Sequence, residues 1–252
     1  MIGGEEMKNQ YFGDINDFRK YGLLRALTGS TVPKKDELSL AVCWMLTPND
    51  NTPHGKRIQY LKLPKIYRYL DFELFDYFVE LDIVNEKNRD VKNAQKINCL
   101  PITSLFYSEP LPSDKNARAG YFNKFLKRSE EFDILFYDPD IGINVKTHRY
   151  GTMYSNKYLY WCELIVSYLC GHSIVFFQHF GMQPGGRDLF INNIAKDLKR
   201  SIGIGEIYSF KSAHVVFFLL PQSKHSLLFK EKIEYIREKW SLQAGFNVIK
   251  RH

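Results

Sequence analysis

Residues 133–142 read DILFYDPDIG, an apolar run that passes directly into a turn carrying two carboxylates. A run this short, ended by Pro139 and Gly142, has the form of a strand buried on both faces. Two further runs share that form: SIVFF at 173–177, which leads into the polar QHF, and VVFFLL at 215–220. Helical spacing fills the intervals at 157–170 and 188–200, so the second half of the chain reads strand, helix, strand, helix, strand. This alternation predicts an α/β fold, a Rossmann-like three-layer sandwich with a mainly parallel sheet. Ligands of such sheets bind outside the carboxyl ends of the strands, which directs attention to the loops that follow them.

Working outward, LSLAVCWML at 38–46 is another buried-strand run, ended by the turn-rich TPNDNTPHG. Before it, FRKYGLLRAL at 18–27 has helical spacing, with Asp14 or Asp17 as N-cap. Helical patterns at 67–81 and 118–128 flank a loop-rich stretch that includes CLPITSLFYSEPLP, so the region around 60–130 could be a helical and loop insertion or lid. No repeat, low-complexity tract or linker divides the chain, and residues 7–252 read as a single domain. The polar GGEE at 3–6 makes Met7 a candidate natural start.

With 252 residues, of which 44% are hydrophobic and 25% charged, the chain can bury a core without disulfides or metals. Cys43, Cys99, Cys162 and Cys170 show neither CxxC spacing nor the pairing with nearby histidines that a zinc site needs, and read as core thiols in a reducing compartment. No apolar run has membrane-span length, and the acidic N-terminus does not resemble a secretion signal, so the expected location is the cytoplasm. A formal net charge of +7 favours an anionic partner, nucleic acid above all, against the plain alternative of a basic protein without one.

Three strand-end loops carry the candidate chemistry: TPNDN at 47–51, DPDIG at 138–142 and QHF at 178–180. Asp138 and Asp140, one residue apart at a strand tip, could bind a divalent cation or accept hydrogen bonds from an amine. His179 could act as base, ligand or stacking group, or could be a satisfied core histidine. Gln178 could equally bridge backbone groups. Asp14, Asp17, Lys20 and Tyr21 cluster at the start of the first helix, more polar groups than a cap needs. Asp14, Asp17, Thr47, Asn49 and Asp50 are candidates for cofactor binding, with His54 a weaker candidate, and Lys20 joins Asp138, Asp140 and His179 as a catalytic candidate. Lys157, Tyr158 and Arg187 are candidates for nucleic-acid contact. Glu163 reads as a third acid or a surface charge. There is no GxGxxG, Walker motif, HExxH or GxSxG.

GDINDFRKY, opening a helix before the first strand, and a later strand ending in Asp-Pro resemble the Rossmann-like methyltransferases that modify adenine N6 in large-subunit ribosomal RNA, and the three-Cys-motif partner proteins. More closely, YFGDINDFRKYGLLRAL, CWMLTP, DPDIGI and FFQHF look like a family of uncharacterised bacterial proteins. The methyltransferase resemblance implies S-adenosylmethionine as cofactor and Asp138 as hydrogen-bond acceptor for the target amine. Two departures stand out: TPNDNTPHG replaces a glycine-rich cofactor loop, and Asp-Pro-Asp-Ile replaces Asp-Pro-Pro-Tyr, losing the aromatic that would stack on a flipped base. Tyr137 or Phe180 could substitute. The expectations are therefore a nucleic-acid methyltransferase, then a Mg2+-dependent nuclease or phosphodiesterase using Asp138 and Asp140, then a noncatalytic binding module on a degenerate enzyme fold.

Overall fold

The computed structural model describes residues 9, 11–31, 37–48, 57–96, 100–101, 103–144, 148–181, 185–240 and 247–251. Its elements in chain order are α1 (Ile15–Thr28), β1 (Leu40–Cys43), α2 (Pro64–Tyr67), α3 (Phe72–Glu80), β2 (Leu105–Tyr107), α4 (Lys115–Arg128), β3 (Ile134–Tyr137), β4 (Gly142–Ile143), β5 (Tyr158–Leu159), α5 (Trp161–Leu169), β6 (Ser173–His179), α6 (Arg187–Ile202), β7 (Ile207–Lys211), β8 (Val215–Leu220), α7 (Ser226–Trp240) and β9 (Asn247–Arg251). One sheet runs β2-β1-β3-β6-β8-β7-β9, while β4 and β5 pair separately. The strands β2, β1, β3 and β6 are mutually parallel, β8 is reversed, β7 regains the common direction and β9 is reversed again.

Successive side chains of a strand point to opposite faces, and here both faces are covered. Leu40 and Val42 of β1 join the core formed with α1, α3 and α7. Ala41 and Cys43 join the core formed with α4, α5 and α6. The result is the expected three-layer α/β arrangement with a mainly parallel sheet. The packing of α1 on α7 depends on Gly22, because a Cβ there would lie 2.1 Å from Cη2 of Trp240.

Several local expectations are corrected. The 215–220 strand is antiparallel to its neighbour, because residues 207–211 form an additional strand and turn back into it as a hairpin. Residues 105–107, inside the stretch read as loop, form the edge strand β2. The helix expected over 157–170 starts only at Trp161, after Tyr158 and Leu159 have paired with Gly142 and Ile143. Cys43 is buried as expected, but Cys162 and Cys170 are exposed on the outward side of α5 and at its C-cap; Cys99 lies outside the described residues. Among the described residues no helix is long and apolar enough to cross a membrane.

One topological feature positions the site. From β1 the chain moves to β2 on one side, then returns past β1 to β3 on the other. Where connections diverge in this way, the loops after the two central strands part and leave a crevice at their carboxyl ends.

Candidate functional site

The crevice between β1 and β3 is a cavity of roughly 550 Å3, within the range of about 300–1,000 Å3 typical of small-molecule sites. Its walls bring together Asp14, Asp17, Lys20, Thr47, Asp138, Asp140, Lys157 and His179, all singled out from sequence. Asn49 and Asp50, and the weaker candidate His54, lie outside the described residues.

The start of α1 forms one wall. Asp14 is its N-cap, accepting from the backbone N–H of Asn16 at 2.8 Å and of Asp17 at 3.0 Å, as the unpaired amides of a helix start require. Asp17 accepts from the Gly13 N–H at 3.1 Å and the Tyr21 hydroxyl at 3.3 Å. One turn on, Lys20 Nζ lies 2.7 Å from Asp17 Oδ1 and 2.8 Å from Asp138 Oδ2, so the helix is tied to the tip of β3. The ammonium also lies 4.9 Å from the ring centroid of Tyr21 and 5.4 Å from that of Trp44, distances at which an aromatic ring attracts a cation.

The opposite wall is the DPDIG turn. Asp138 N–H donates to the Cys43 carbonyl at 3.1 Å, fixing the strand tip. Thr47 Oγ1 donates to Asp140 Oδ2 at 2.9 Å, joining the loops after β1 and β3. Gln178 braces the turn from β6: its Oε1 accepts from Ile143 N–H at 2.8 Å and its Nε2 donates to the carbonyls of Ile141 and His179. Gly142, at φ +132°, leaves room for that brace, since a Cβ there would lie 2.3 Å from Gln178 Oε1. Gln178 thus bridges backbone groups and does not line the cavity.

Four carboxylates around one ammonium make an electrostatically loaded site. Burial, reinforced by Asp17, pushes the Asp14 carboxyl up to about 6. Burial also raises Asp138; Lys20 opposes that shift, while Asp17 and Asp140 add to it. For Lys20, burial alone would lower the pKa, but Asp138 and Asp17 outweigh it and hold the ammonium protonated. His179, exposed at the opening, is lowered by burial and then by Arg57. Lys20 thus sits between Asp17 and Asp138 and takes one carboxylate oxygen of each. Among the described residues no group of three or more His, Cys, Asp and Glu side chains is arranged to hold a metal ion.

Other expectations fall elsewhere. Glu163 is neither a third site acid nor a surface charge: it is buried in an ion pair with Arg118 at 2.6 Å and caps α5. Tyr158 is buried in β5 with its ring 5.0 Å from that of His148, outside the cavity wall. Arg187, the first residue of α6, stacks its guanidinium over Phe180 beside the opening. Tyr137 points into the other face and bonds Ser167, and Phe180 is buried beneath Arg187, so neither replaces the missing aromatic of the turn. The aromatic walls are instead Tyr11, Phe12, Tyr21, Trp44 and Phe177. Trp44 at the end of CWML was recognisable as a strand-end aromatic. His214 was not: it reaches this edge only because β8 runs against its neighbour.

The chain matches no family model and no curated protein. Among solved structures it is similar to protein LPL1258 from Legionella pneumophila, described by the family model DUF519, at 10% identity and a TM-score of 0.44, over 95% of this chain and 97% of that one.

Proposed function

We propose that the protein transfers a methyl group from S-adenosylmethionine to an amine of a nucleic-acid base. The observation that carries this reading is the setting of Asp138. Lys20 holds its Oδ2, while its Oδ1 has no protein partner among the described residues, leaving one fixed acceptor at a strand tip in the cavity. An exocyclic amine donating to that oxygen would be oriented with its nitrogen toward the cavity. Burial raises the affinity of Asp138 for a proton, which suits it to receive one as the amine is alkylated.

The residues present fit the cofactor. Asp14, Asp17 and Asp140 offer acceptors for hydroxyl and ammonium groups and a negative field for a sulfonium. The aromatic walls suit an adenine ring. The wall also carries two buried polar atoms with no protein partner among the described residues, Trp44 Nε1 and Asn16 Oδ1; such orphans are uncommon in folded proteins, and a ligand in the cavity would complete their bonding. When bound, S-adenosylmethionine supplies an electrophilic methyl group. The protein contributes the fixed acceptor and the walls that exclude water.

Calorimetric titration with S-adenosylmethionine, run beside one with Mg2+, tests the proposal. Stoichiometric binding of the first is expected; binding of Mg2+ alone would favour phosphodiester hydrolysis and overturn it.

A further inference from the structure

The acidic cavity has a basic mouth. Arg57, His179 and His214 are exposed residues of its wall, while the carboxylates Asp14 and Asp17 are buried at its base. The two histidines are brought together by the reversed strand: His179 is in register with Val215, and Phe180 N–H donates to the His214 carbonyl at 3.0 Å. Arg187 joins them from α6, with Cζ 5.4 Å from the centroid of the Phe180 ring. The neighbouring carboxylate, Asp188, is directed to Lys211 at 2.8 Å.

We propose that Arg57, Arg187, His179 and His214 form the receptor for a phosphate group adjoining the base held in the cavity, so that the substrate enters over the edge where β6 meets β8. The assignment rests on the reading of the cavity as a nucleobase site. Its support is chemical. The two guanidiniums offer only donors, each imidazole can turn a ring N–H toward an anion, and Arg suits phosphate through paired N–H groups. Without an anion nearby, the protonated forms of these groups repel one another. After burial, the leading influences on His214 are all basic: Arg57, Arg187, His179 and Arg19 hold its proton affinity down. A phosphate would reverse that repulsion. The deep carboxylates would meanwhile repel the same phosphate, so the charge pattern fixes which end of a nucleotide goes in first.

Adenosine, adenosine 5′-monophosphate and a short single-stranded RNA oligonucleotide serve as probes, with S-adenosylmethionine titrated separately. The wild type should bind both phosphate-bearing probes more tightly than adenosine. Arg57→Ala combined with His214→Ala should weaken those two by roughly tenfold or more, the loss expected for charged hydrogen bonds, and should change the binding of adenosine, which carries no anionic group, far less. Lys127→Ala with Lys196→Ala removes as much or more charge from exposed positions on α4 and α6 and should change monophosphate binding less than twofold, as screening requires. A monophosphate bound no more tightly than adenosine, or equal losses in the two double variants, overturns the receptor. A preference for the oligonucleotide over the monophosphate identifies a polymer as the source of the phosphate; equal affinity identifies a free nucleotide. If S-adenosylmethionine fails to bind the wild type, the methyl-transfer reading falls, whatever the mouth variants do.

Discussion

Two buried cations in this protein show how a structural charge cluster differs from a functional one. Arg118 is fully buried and engages four of its five N–H groups. It forms a paired contact with Glu163 at 2.6 and 3.0 Å, donates to the carbonyls of Ser155 and Tyr158, and packs among Phe122, Tyr150 and Tyr160. Lys20 is almost as buried, yet its carboxylate partners outnumber it and Asp138 keeps one oxygen without a protein partner among the described residues. The first cluster is closed, and its bonds join α4 to the segment around β5 and to α5. The second is open, carries excess negative charge and faces a cavity. The unfavourable arrangement is the one that invites a ligand.

The largest expected effect on stability lies in the closed cluster. Arg118→Met strands the Glu163 carboxylate in the interior, and breaking a buried pair in this way costs about 3–5 kcal/mol. In a chain of this length that lowers Tm by roughly 6–20 °C, measurable by thermal denaturation at neutral pH. A loss below about 1 kcal/mol would show that Glu163 finds water or another partner, and the contrast with Lys20 would lose its meaning.

Asp14→Asn should give a smaller effect of opposite sign. Burial and Asp17 raise the Asp14 pKa from 3.8 to about 6, so the folded state holds that proton more tightly than the unfolded state does. The resulting stabilisation is complete below pH 3.8 and is lost as pH rises through about 6. Asparagine keeps an N-cap oxygen without the charge. The variant should therefore exceed the wild type by about 1–3 kcal/mol at pH 8 and match it near pH 4. Denaturant titrations at the two pH values check this, and a gain that does not change with pH would contradict the assigned cause.

The sequence disclosed much of this contrast, but unevenly. Asp14, Asp17, Lys20, Asp138 and Asp140 were legible because a helix start and a strand tip are local patterns, and parallel topology brings strand tips together. The closed cluster was not legible. Glu163 looked like a surface or site acid because its partner, Arg118, lies 45 residues away on another helix, and nothing local announces such a pair. The basic mouth was hidden for a related reason. His214 sits before a strand whose direction depends on the hairpin with β7, and that strand mixes Tyr, Ser and Lys among its apolar residues. Short strands of this kind owe their existence to neighbours more than to their own sequence.

Asp138→Asn should change stability least and function most. The asparagine carbonyl can still accept from Lys20, and Lys20 keeps Asp17 at 2.7 Å, so no buried cation is left bare. Removing one carboxylate also relieves the repulsion that Asp17 and Asp140 exert on it. Tm should accordingly stay within about 2–4 °C of the wild type, the shift expected for about 1 kcal/mol in a chain of this size. The chemistry has no such tolerance. With its carbonyl turned to Lys20, the side chain presents an amide N–H₂ to the cavity, a donor where an amine needs an acceptor. Methyl transfer should fall by roughly a hundredfold or more, the scale seen when one oriented polar group of a transition-state site is lost, while S-adenosylmethionine still binds. Single-turnover methylation and thermal denaturation of the same preparation separate the outcomes. A collapse in Tm comparable to that of Arg118→Met would make Asp138 a second structural anchor, and full activity with an unchanged Tm would remove it from the chemistry altogether.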